Sequence, residues 1–154
     1  MLEKHWVKSW SVLFLVFVVL LVLCAFPLKS YAADAEIKDD DDHYVLLDNG
    51  HGNGDTITIA DGLSVTIIGD TGTTYTDFRI VCGTGVQLTI QDLWIDDSLD
   101  GKCPIEFTGA GNTLTLAGTN KLTGGNDQPA VRAGASTGLA IGGSGSVNAA
   151  GGGG

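Results

Sequence analysis

Leu88-Thr89-Ile90, Leu114-Thr115-Leu116 and Leu139-Ala140-Ile141 are one short strand written three times, 26 and then 25 residues apart. Working outward, Ile80, Ile105 and Val131 keep the same step, 25 and 26 residues apart. Two apolar series sharing one period mean that the chain returns to the same place once per repeat, which is the mark of a solenoid with stacked coils. Upstream, Thr56-Ile57-Thr58-Ile59 and Ser64-Val65-Thr66-Ile67-Ile68 alternate in the same β-branched style, separated by Asp61-Gly62. Each coil offers three strand positions, such as 86–90, 93–95 and 105–107. The expected fold is therefore all-β: a single-stranded, three-sided parallel β-helix of about four coils of 23–26 residues. A β-sandwich has turns every ~8–12 residues and no cause for the longer period.

Alternation along those strands predicts the inward side chains: Val65, Ile67, Phe78, Ile80, Leu88, Ile90, Leu93, Ile95, Ile105, Phe107, Leu114, Leu116, Leu122, Val131, Leu139, Ile141 and Val147. Stacked coils lie ~4.8 Å apart, so like residues form ladders. The glycine-rich run at 151–154 falls in mid-repeat, and the expectation is a truncated piece of a longer solenoid.

Residues 1–32 read as a Sec signal peptide. Lys4 and Lys8 precede an apolar stretch over 11–26, and Ser30-Tyr31-Ala32 places small residues where cleavage requires them. The apolar stretch falls short of the ~20 residues of a membrane span, so no stable insertion is expected after cleavage. Export to the medium or the cell surface follows. Residues 33–55, with the acidic run 39–42, read as a linker and N-terminal cap, and the coils proper start at 56 and run to 154. The chain carries 8 basic and 18 acidic residues, a net charge of −10. Cleavage after Ala32 leaves 5 basic against 17 acidic, or −12. Such a surface repels phosphate backbones and argues against nucleic acid as a partner.

Cys82 and Cys103 remain after cleavage. With Ile80 stacked on Ile105, Cys82 lies against Phe107, about four residues along the strands from Cys103. That is on the order of 13 Å at ~3.3 Å per residue, against a Cα separation of ~7 Å at most for a disulfide. The register argues against a Cys82–Cys103 bridge.

The segments at 112–125 and 138–152 resemble the glycine-rich β-helix repeats of secreted and surface proteins of Gram-positive bacteria, and those of carbohydrate-binding β-helix domains of cellulolytic clostridia. The resemblance covers roughly half of the exported chain. It implies a right-handed parallel β-helix on a secreted or wall-associated protein. From the carbohydrate-binding members it implies calcium and acidic plant polysaccharide. No set of calcium ligands can be carried over residue by residue.

The strongest candidate site surrounds Trp94. With Leu93 and Ile95 inward, the indole points outward among Asp92, Asp96, Asp97 and Asp100. An exposed ring can stack on a sugar while carboxylates order its hydroxyls, and Asp96 with Asp97 could hold Ca²⁺. The competing reading is an indole packed on a neighbouring coil among ordinary turn acids. Expected partners are a polysaccharide or a host or cell-wall glycan, bound without catalysis, or none if the module is an adhesin stalk. The alternative is a fragment of a pectin-active lyase or glycoside hydrolase. Gly50-His51-Gly52 and Asp96-Asp97 match motifs of polygalacturonases, but their order is reversed, with the histidine 45 residues before the aspartates. Arg79 and Arg132 could supply a lyase base, and read more simply as outward charges on solvated strands.

Overall fold

A computed structural model of the chain describes residues 34–99, 101–134 and 138–153. The expected signal peptide and Asp100 lie outside the described residues. Among the described residues thirteen strands follow in order, with no helix: β1 (Ala35–Ile37), β2 (Asp41–Val45), β3 (Thr56–Ile59), β4 (Ser64–Ile68), β5 (Arg79–Cys82), β6 (Gln87–Gln91), β7 (Trp94–Asp96), β8 (Ile105–Phe107), β9 (Asn112–Ala117), β10 (Thr119–Thr123), β11 (Val131–Ala133), β12 (Leu139–Gly143) and β13 (Ser146–Ala150). They form three wholly parallel sheets, β1-β3-β5-β8-β11, β2-β4-β6-β9-β12 and β7-β10-β13. The chain alternates between the first two sheets through β4 and visits all three in turn from β5 onward, which makes a β-solenoid of about four turns, three-sided from β5 on.

Inward residues stack as ladders. Ile57, Ile80, Ile105 and Val131 are consecutive rungs of the first sheet. Val65, Leu88 and Leu114 are rungs of the second. Ile57, Ile59, Ile67, Phe78, Ile80, Leu88, Ile90, Leu93, Ile95, Ile105 and Leu122 are fully buried. Burying side chains of this size contributes roughly 1.5–3 kcal/mol each, which is the main source of stability in so thin a fold.

The stack begins earlier than the expected start at residue 56. Ala35-Glu36-Ile37 pairs with Ile57-Thr58-Ile59, and Asp41–Val45 pairs with β4 through an irregularity between Asp41 and Tyr44. Ala35–Ile37 and Asp41–Val45 thus supply strands to the stack, ahead of the expected start of the coils. β1 is three residues long with Glu36 outward, and β2 does not alternate cleanly, so neither stands out in a hydropathy reading.

The third copy of the repeat also moves. The 25-residue step from Leu114 predicts that Leu139 stacks on it. In the structure Leu139 pairs with Asn112, and Ile141 pairs with Leu114. The corner leading into β12 is one residue longer than the one leading into β9, with Phe107 and Ala133 as matched starting points. The slip of two residues preserves which side chains face inward. Ile141 is nevertheless 59% exposed, whereas Leu139 packs against the core.

The corners explain much of the acidic composition. A main-chain N–H at a corner has no ladder partner and must find one elsewhere. Asp34 accepts from Thr56, Asp40 from Ser64, Asn53 from Thr76, Asp61 from Thr84 and Asp92 from Thr119, each amide lying one coil on. Asn112 and Asn120, both buried, accept from Val86 and Leu93 one coil back. Gly83 and Gly118 sit directly against two of these carboxylates. A Cβ on either would lie 2.1–2.2 Å from Asp61 or Asp92 Oδ1, so a Gly-Thr step is what this corner requires.

Cys82 and Cys103 are buried free thiols. Cys82 stacks on Phe107, and Cys103 donates to the Ile105 carbonyl at 3.1 Å. Burial pushes Cys82 up from 9.0 to about 12 and raises Cys103 as well. A thiol that ionises less readily when folded stabilises the fold below its unfolded value and loses that effect as pH rises through its folded one. Stability is therefore expected to hold up to about pH 9 and to fall between about pH 9 and 12. Tyr44 and Tyr75, both raised first by burial, act in the same sense. Urea midpoints across that range check this, and a midpoint that rises with pH would contradict it.

Candidate functional site

The third sheet is the shortest and carries the Trp94 surface. Strand β7 alternates with Ile95 fully buried and its two neighbours half-buried. Trp94 pairs in register with Lys121, which pairs with Asn148. Asp96 likewise pairs with Thr123, and Thr123 with Ala150. Two outward rows result, Trp94–Lys121–Asn148 and Asp96–Thr123, with rungs ~4.8 Å apart. The Trp94 indole N–H donates to the Thr119 carbonyl of the next coil at 3.1 Å. That bond orients the ring along the stack while leaving the side chain half exposed. Lys121, Thr119, Ser146 and Asn148 are exposed around it.

The acids expected around Trp94 divide. Asp96 stays with Trp94 on the outward face. The Ser98 hydroxyl and amide hold its carboxyl below the usual carboxylate range, and the Lys121 charge acts in the same sense. Asp92 adopts a left-handed backbone (φ 51°) that aspartate tolerates, and its Oδ1 accepts the Thr119 amide at 2.9 Å. It is a corner clamp. Asp97 is fully buried and accepts the Phe78 amide at 3.0 Å. Strand alternation sends Asp96 out and Asp97 in, so the two do not present their carboxylates to one cation or one water. Among the described residues no group of three or more His, Cys, Asp or Glu side chains could hold a metal ion. Lys121 and Asn148 belong to the surface and were not legible as such. Their signal is the 27-residue step from Trp94 to Lys121 to Asn148, longer than the step of the first two series.

The other motif residues have partners of their own. His51 is buried, with Nδ1 3.0 Å from Asp55 Oδ2 and Nε2 2.7 Å from the Tyr44 hydroxyl. Asp55 Oδ2 also accepts the Gly52 amide, and the group closes the loop of the first coil. Arg79 and Arg132 both reach Glu106, Arg132 at 3.4 Å, so they tie three coils of the first sheet together. Among the described residues no helix is long and apolar enough to cross a membrane. Compared with known proteins, the chain matches no family model, no curated protein and no solved structure.

Proposed function

We propose that this chain is an exported, non-enzymatic β-solenoid module that holds a polysaccharide on its third sheet. The observation carrying this reading is the pair of outward rows, Trp94–Lys121–Asn148 and Asp96–Thr123, on rungs that do not shift in register. A half-exposed indole offers a sugar ring an apolar face. The ammonium, amide, hydroxyl and ionised carboxylate around it can donate to and accept from sugar hydroxyls. A ligand running along the stack meets the indole first and a hydrogen-bonding group at each following rung.

Retention in affinity electrophoresis through gels containing plant or cell-wall polysaccharides is the direct test. Trp94→Ala is expected to weaken retention by about 2 kcal/mol, some thirtyfold, and Trp94→Phe to recover most of it. Unchanged retention in Trp94→Ala would remove the indole from the site. Absence of any retention in the parent chain would favour a stalk that only spaces other parts of a surface protein.

A further inference from the structure

Four of the five strands of the second sheet carry no charge, while β2 at its end carries Asp41 and Asp42. Strands β4, β6, β9 and β12 read Ser-Val-Thr-Ile-Ile, Gln-Leu-Thr-Ile-Gln, Asn-Thr-Leu-Thr-Leu-Ala and Leu-Ala-Ile-Gly-Gly, with no charged and no aromatic residue. The first sheet carries Arg79, Glu106 and Arg132 outward, and the third carries Asp96 and Lys121. In a chain of net charge −10, a neutral face four strands wide is a distinct surface. Register runs from β4 to β12 without a shift, so the outward residues stand in straight columns: Ser64, Gln87, Thr113 and Ala140, then Thr66, Thr89, Thr115 and Gly142. The corner acids beside it, Asp61 and Asp92, are engaged with the Thr84 and Thr119 amides.

We propose that the four-strand part of the second sheet from β4 to β12 is a docking face for an uncharged, extended glycan, separate from the Trp94 surface. It rests on the reading of the chain as a glycan-binding module and adds a second face with its own selectivity. Hydroxyls and primary amides both donate and accept, which suits sugar hydroxyls. With no ionic partner on the face, a carboxylated or sulfated chain gains nothing there and meets the acidic remainder of the molecule. The footprint argues for a ligand chain over a second copy of the protein. Three strand steps of ~4.8 Å by five residues of ~3.3 Å cover roughly 240 Å², well below the ~800 Å² per partner of a stable protein interface.

The test sets hydroxyethylcellulose, a neutral β-glucan, against polygalacturonate in affinity gels, with light scattering for mass. Thr89→Lys and, as a milder second variant, Gln91→Glu each place a charge on the face, and their melting curves confirm folding. The part of the neutral-glucan retention that remains in Trp94→Ala is expected to fall about tenfold when Thr89→Lys is added. Loss in Trp94→Ala with full retention in both charged variants would overturn the second face and leave the Trp94 reading standing. No retention by either polymer would overturn both. A doubled mass abolished by Thr89→Lys would show a second copy as the occupant and overturn the proposal.

Discussion

Replacing Gly69 by alanine is expected to destabilise the fold by about 3 kcal/mol or more, a fall of roughly 10 °C in Tm. Gly69 is the buried corner after β4, and its amide donates to the Gln91 carbonyl of the next coil at 2.9 Å. A Cβ there would lie 2.4 Å from the Asp92 carbonyl oxygen and 2.7 Å from the Leu93 Cα. Both are main-chain atoms, and the Leu93 amide is itself held by Asn120. No rotamer change can relieve the overlap, so two coils must separate locally. Gly142→Ala is the control, because a Cβ at Gly142 meets nothing within 4 Å. Its effect should stay within about 0.5 kcal/mol. Thermal melts of the pair decide the matter, and a Gly69→Ala variant melting with the parent would mean that these corners do not press together.

Phe107→Ala is expected to cost about 3–5 kcal/mol, against a total of about 5–15 kcal/mol for a domain of this kind. Phe107 is 1% exposed, with Cys82 on one rung and Ala133 on the other. Neither neighbour is large enough to fill the space an absent ring leaves. Phe107→Leu should recover part of the loss, since it keeps more of the buried volume. Urea denaturation measures both. A cost below about 1 kcal/mol for the alanine variant would show that the ring does not face the core.

What was legible in the sequence follows from what the stack demands. Ile80, Ile105 and Val131 announced the first sheet because a ladder that faces the core tolerates only apolar side chains. Leu139-Ala140-Ile141 offered two apolar residues with the same facing, so alternation could not choose between them. The length of the preceding corner decided, and hydropathy does not encode it. The first coil was hidden because β1 is brief and β2 does not alternate cleanly. At the site, alternation alone placed Trp94 and Asp96 on the surface. Asp92 and Asp97 looked like ligand acids because a turn aspartate reads the same whether it faces a cation or the neighbouring coil's amide. Only the position of the Thr119 and Phe78 N–H groups separates the two roles.

The corner clamps span 19 to 27 residues, so each joins a coil only to its immediate neighbour. The sheet ladders do the same. Under tension along the stack, these clamps and ladders among the described residues hold each coil to its neighbour alone, and coils can peel from an end in sequence. Each release frees about 25 residues, or roughly 8–9 nm of extended chain. A load is then met by stepwise lengthening, with the remaining coils still folded and still presenting their outward faces.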